Sequence, residues 1–145
     1  MPADASAPML LDTHVWVWFV AGDASKLTSR VVSRIERAVR DGRCLVSVIS
    51  VWELAMLEAK GRLRLGGAVD AWVAASRRPP GVAVAELSPE IAIESTRLPG
   101  DVHGDPAERM LIATSRVLGA VLVTCDERIL SYASDGYVRT LDARP

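Results

Sequence analysis

The stretch Met9-Leu10-Leu11-Asp12-Thr13-His14 is an apolar run that ends on a carboxylate. A short strand buried in a sheet has no use for an acid at its tip, so Asp12 either caps the next helix or faces a cleft. In open α/β sheets, ligands sit in the crevice outside the carboxyl ends of the strands. The same grammar returns at Cys44-Leu45-Val46-Ser47, leading to Glu53, and at Val121-Leu122-Val123-Thr124-Cys125-Asp126. Asp105 and Glu108 open the helix that lies between those two runs. Four junctions, each carrying an acid, point to one site with the rest of the chain as its scaffold.

Working outward, residues 15–21 read as a short helix coming straight off the first strand. This segment crowds Trp16, Trp18 and Phe19 into four residues. One helix face cannot hide all three, so one is a candidate for a subunit interface. Residues 27–41 form a clearer helix, capped by Thr28 or Ser29, with Val31, Val32, Ile35, Ala38 and Val39 on one side at 3.6 periodicity. Arg30, Arg34, Arg37 and Arg40 take the other side, as a solvated face or a track for phosphate. Ser50 with Glu53 three residues on reads as a capping box that starts the helix after the second strand. A helix over 68–76, a strand over 82–87 and a helix from Ser88-Pro89-Glu90 to residue 97 follow, then a loop over 98–104. Asp105-Pro106-Ala107-Glu108 starts a helix that Gly119 stops. A strand over 120–124, a short helix over 126–133 and a strand over 138–141 complete the order. Strands alternating with helices predict a three-layer α/β/α domain with a central parallel sheet of four or five strands. Residues 1–8 read as a flexible leader and residues 9–145 as one domain.

The bulk numbers agree with a globular chain. Of 145 residues, 50% are hydrophobic and 24% charged, which excludes disorder. Net charge is −1 and the sequence pI is about 6.1, so bulk charge does not draw nucleic acid in. The cysteines, Cys44 and Cys125, fall in or beside apolar runs, without the spacing of a metal-thiolate site. No secretory signal and no apolar run of membrane-spanning length is present, and a reducing cytosol fits best.

Each acid has a structural reading. Asp105 and Asp126 suit helix N-caps, while Glu53 after Ser50 and Glu108 after Asp105 suit the partner position three residues on, each stabilising its helix by about 1 kcal/mol. Capping does not explain Asp12, which Thr13 could replace as a cap. Nor does it explain why acids recur at the carboxyl ends of successive strands. Carboxylates that converge repel one another unless a cation compensates. Hard oxygen ligands without His or Cys suit Mg²⁺ or Mn²⁺, and such ions bind phosphates, so phosphodiester cleavage is the chemistry expected here. The cation also supplies the attraction that the acidic pI withholds.

The segments Leu10-Leu11-Asp12-Thr13-His14, Ser47-Val48-Ile49-Ser50-Val51-Trp52-Glu53-Leu54, His103-Gly104-Asp105-Pro106-Ala107-Glu108-Arg109 and Leu122-Val123-Thr124-Cys125-Asp126 resemble, in order and spacing, those of PIN-domain ribonucleases. The likeness is to the VapC-type toxins of bacterial toxin–antitoxin pairs, and it spans about residues 9–142. The resemblance implies a PIN-like fold and an Mg²⁺- or Mn²⁺-dependent endoribonuclease, acting on RNA such as tRNA, dimeric, and held in check by a VapB-type antitoxin. It implies that Asp12, Glu53, Asp105 and Asp126 are catalytic and that Asp12, Glu53, Asp126 and either Asp105 or Glu108 hold metal. Glu108 stands where the family's Asp-Pro-x-Asp-Arg segment has its second Asp, one methylene longer. Thr13, Ser50 and Thr124 adjoin the acids and can hydrogen-bond them. Thr13, His103, Arg109 and Thr124 are candidate substrate contacts, Arg109 also an ion-pair partner for an acid, and His14 a packing neighbour. Lys60, Arg62 and Arg64 make the most compact basic patch.

Other readings fit less well. A haloacid-dehalogenase-type phosphatase needs an Asp where His14 stands. A phospho-receiver needs a late lysine, and Lys26 and Lys60 are the only lysines. A P-loop is absent. The non-enzyme alternative is a catalytically impaired PIN-like protein-interaction module, favoured only by the departure at Glu108.

Overall fold

The computed structural model describes residues 6–102 and 104–145. Strands β1 (Met9–Leu11), β2 (Cys44–Ser47), β3 (Ala83–Ala85), β4 (Val121–Thr124) and β5 (Thr140–Asp142) form one sheet in the order β3-β2-β1-β4-β5. Every pairing is parallel, with Leu11 opposite both Val46 and Val123, Ser47 opposite Ala85 and Thr124 opposite Asp142. Seven helices are described: α1 (Thr13–Ala21), α2 (Ser29–Arg40), α3 (Val48–Ala59), α4 (Val69–Arg77), α5 (Pro89–Ser95), α6 (Pro106–Leu118) and α7 (Glu127–Ala133).

Strand alternation divides the apolar side chains between two cores. Met9, Leu11, Val46 and Val123 face Val15, Trp16, Val31, Ile35 and Leu54 from α1, α2 and α3, with Trp72 of α4 packed alongside. Leu10 and Leu122 face Ile91, Leu111, Ile112, Ile129 and Tyr132 from α5, α6 and α7. The chain moves outward from β1 to β3 with its helices on one face, then returns to β4 and β5 with helices on the other. Right-handed crossovers force that change of face whenever the direction of travel reverses. The three expected layers are therefore present, with five strands.

Several boundaries differ from expectation for local reasons. Helix α1 begins at Thr13, because the Asp12 carboxylate accepts from the Thr13 amide and caps it at once. Helix α3 begins at Val48, directly off β2, with Ser47 accepting from the Ile49 amide. The Ser50–Glu53 capping box is thus overturned, since both residues lie inside the helix. Strand β3 keeps only three residues and α5 ends at Ser95. Of the three crowded aromatics, Trp16 is fully buried with its ring tilted against that of Trp72, centroids 5.0 Å apart, while Trp18 and Phe19 pack partly buried against the same core. The exposed tryptophan is Trp52 on α3. Residues 1–5 of the leader lie outside the described residues. Ala7 and Pro8 are tied in, their carbonyls accepting from Arg43 Nη1 and the Val121 amide.

Candidate active site

The strand order places β1 between β2, the next strand in the chain, and β4, reached only after β3. The crevice at the carboxyl ends of β1 and β4 is the sheet's topological switch point, where open α/β folds bind ligands. Asp12 leaves β1 into this crevice. Its Oδ1 accepts from the Thr13 amide at 2.7 Å and its Oδ2 from Thr124 Oγ1 at 2.7 Å. The same Thr124 hydroxyl accepts from the Asp126 amide at 3.0 Å. One buried hydroxyl therefore fixes the two acidic junctions of β1 and β4 relative to each other.

Thr13 does the same on the other side. Its hydroxyl lies 2.6 Å from Glu53 Oε1 and 2.8 Å from Ser50 Oγ. It has a single proton, and the carboxylate is the stronger acceptor. Starting α3 at Val48 turns Ser50 and Glu53 together toward Thr13, one helical turn apart. Burial pushes Asp12 above the ordinary carboxylate value; the Thr124 and Thr13 hydrogen bonds pull it back, and the charge of Glu53 adds to the rise. His14 is exposed, lies 5.8 Å from the Trp18 ring, and opposes that rise as a positive neighbour.

The second group gathers where α6 and α7 start. Asp105 caps α6 by accepting from the Glu108 amide at 3.1 Å, and Asp126 caps α7 by accepting from the Arg128 and Ile129 amides. Glu108 is pushed up to about 7, first by burial and then by the charge of Asp126, with Arg128 opposing and Asp105 adding. Arg128 Nη2 donates to Glu108 Oε1 at 2.6 Å, and its Nε stands 3.9 Å from Asp126 Oδ1. Between α3 and α6 lies a largely apolar groove of about 360 Å³, lined by Ile49, Trp52, Met56 and Met110 together with Glu53 and Asp105. The five acids thus form a linked series: Glu53, Asp12, Asp126, Glu108, Asp105.

Among the described residues, Arg109 makes no ion pair with an acid. Its Nε donates to the Ser95 carbonyl at 2.8 Å, tying α6 to α5, and Arg128 makes the ion pair instead. Sequence carried no signal for that role, because Arg128 and Glu108 are 20 positions apart and meet only through the packing of α6 beside β4. His103 lies outside the described residues. Lys60, Arg62 and Arg64 are exposed, as are Arg30, Arg34, Arg37 and Arg40.

The PIN domain family matches residues 9–135. The chain belongs to the PIN-domain family. Ribonuclease VapC22 of Mycobacterium tuberculosis is 33% identical to this PIN domain over 124 residues, covering 86% of this chain and 91% of that protein. Among solved structures, DNA-bound VapBC from Salmonella typhimurium superposes with a TM-score of 0.67 at 16% identity, covering 94% of this chain and 98% of that one. VapBC2 from Rickettsia felis, bound to a promoter DNA fragment, gives 0.68 at 12% identity over 92% and 97%. FitAcB from Neisseria gonorrhoeae gives 0.64 at 19% identity over 93% and 97%. At these identities the structural likeness speaks to the fold.

Whether the PIN-domain acids suit a metal follows from their donors. Among the described residues, no three Asp, Glu, His or Cys side chains stand close enough to enclose one ion. The series consists instead of neighbouring carboxylates with hydroxyls between them. Mg²⁺ retains several waters and is held by one or two carboxylates, so neighbouring oxygen donors in an open crevice fit it, whereas a zinc cage they are not. No described helix of this PIN domain is long and apolar enough to cross a membrane.

Proposed function

We propose that this PIN domain is a divalent-metal-dependent endoribonuclease and the toxin of a toxin–antitoxin pair. The observation that carries the proposal is the hydroxyl-linked series of carboxylates at the switch point of the sheet, in which Thr124 joins Asp12 to the Asp126 junction and Thr13 engages Glu53. The likeness to a protein named as a ribonuclease supports RNA as the substrate. Asp12, Glu53 and Asp126, with Asp105 or Glu108, would hold Mg²⁺ or Mn²⁺. A bound divalent ion supplies positive charge that draws in phosphate and acidifies water.

The chain's own residues do the rest. Thr13 and Thr124 orient the acids, and their burial keeps bulk water from competing for those hydrogen bonds. Asp12 faces the crevice with both oxygens already aimed by donors, so its lone pairs point in a defined direction. Asp126 and Asp105 cap α7 and α6, which fixes where those two helices begin. His103, just before Asp105 in sequence, is proposed to meet the RNA. VapBC complexes among the structural relatives support a VapB-type antitoxin as partner. An antitoxin arginine among these carboxylates would silence the site by charge-assisted hydrogen bonds. A homodimer in the cytosol completes the reading, with tRNA the first RNA to try.

The test is RNA cleavage by the purified protein with Mg²⁺ or Mn²⁺, beside EDTA and Asp12→Asn. Cleavage is expected to fall at least about 100-fold in both, the order seen when an electrostatic element of an active site is removed. Wild-type cleavage in EDTA and in Asp12→Asn overturns the assignment. An inactive protein that still binds an antitoxin would support the interaction-module alternative.

A further inference from the structure

The acids of the crevice already hold a cation, and it belongs to the chain itself. Arg128 lies in the first turn of α7, two residues past Asp126. Its guanidinium reaches Glu108 Oε1 at 2.6 Å and stands 3.9 Å from Asp126 Oδ1. The Arg128 side chain is 54% exposed, whereas that of Glu108 is 13% exposed. The guanidinium therefore enters from solvent onto a sheltered carboxylate. Helix α7 is capped without it, by the Asp126 carboxylate on the Arg128 and Ile129 amides. A basic side chain in the first turn also sits at the positive end of its own helix dipole, where it is mildly unfavourable. The side chain serves the acids rather than the helix that carries it.

We propose that Arg128 is a tethered counter-cation that occupies the Glu108–Asp126 side of the crevice in the metal-free protein and is displaced when a divalent ion is held there. The proposal rests on the metal-dependent reading above. The Glu108 oxygen that accepts from the guanidinium cannot at the same time face an incoming hydrated ion. The positive charge beside it also opposes a second cation. Metal loading is then an exchange of one cation for another, which weakens apparent affinity, and the half-exposed side chain has open solvent to swing into.

Mn²⁺ binding to the full chain, without RNA, tests this by titration calorimetry on wild type, Arg128→Gln and Arg128→Lys. Arg128→Gln is expected to bind Mn²⁺ roughly three- to tenfold more tightly, as loss of a part-exposed ion pair and its repulsion predicts. Arg128→Lys keeps the charge but loses the planar fork and is expected to fall between the two. Melting temperature without metal should change little, which separates this role from a structural one. Equal or weaker Mn²⁺ binding by Arg128→Gln overturns the proposal and leaves the metal site standing. No Mn²⁺ binding by any of the three proteins overturns the metal reading, and this proposal with it.

Discussion

Asp12 is held against the pull of burial by two donors, the Thr13 amide and the Thr124 hydroxyl. The hydroxyl does two jobs, because it also accepts from the Asp126 amide. Thr124→Val keeps the shape and removes both. We expect a loss of about 1–2 kcal/mol, read as a lower urea midpoint at unchanged m-value, since a sheltered amide loses its acceptor. Cleavage should fall as well, because Asp12 loses the donor that favours its charged form. A variant with wild-type stability and activity would show that the hydroxyl matters to neither. The acids were legible in the sequence because a carboxylate at the end of an apolar run is conspicuous. Their hydroxyl partners were visible as neighbours, yet the pairings were not, since Thr124 and Asp12 lie 112 positions apart.

At the scale of the element, Asp126 is both the cap of α7 and a proposed metal ligand, and one pair of variants separates the roles. Asn caps as well as Asp does, so Asp126→Asn should keep stability within a few tenths of a kcal/mol while cleavage collapses. Asp126→Ala should lose about 1 kcal/mol in addition, by the same denaturation measurement. Full cleavage by Asp126→Asn would reduce this residue to a cap. The caps at Asp105 and Asp126 could be read from local chemistry, with Pro106 or Glu127 beginning each helix. The start of α3 could not. Ser50 and Glu53 satisfy a capping box on paper, but β2 runs into the helix without a loop, and Ser47 already caps it. Only the pairing of β2 with β1 and β3 fixes where that strand ends.

Across the whole molecule, the gathered acids leave a mark on stability. Glu108, pushed up to about 7 chiefly by burial, binds a proton in the folded state that it releases near 4.5 when unfolded. Between those values the native state binds more protons, so stability is lost as pH rises. In EDTA, the melting temperature of wild type relative to Glu108→Gln should therefore decline from about pH 4.5 to 7 and then level off. A flat difference would mean that Glu108 ionises freely. Sequence by itself determined the α/β class, the two-faced burial of the strands and the acidic character of the junctions, because alternation, caps and composition act over a few residues. Only the tertiary structure decided which acids meet, that Arg128 rather than Arg109 pairs with them, and which hydroxyls hold them. Those contacts join positions tens of residues apart, and they arise from strand order and crossover hand rather than from any local preference.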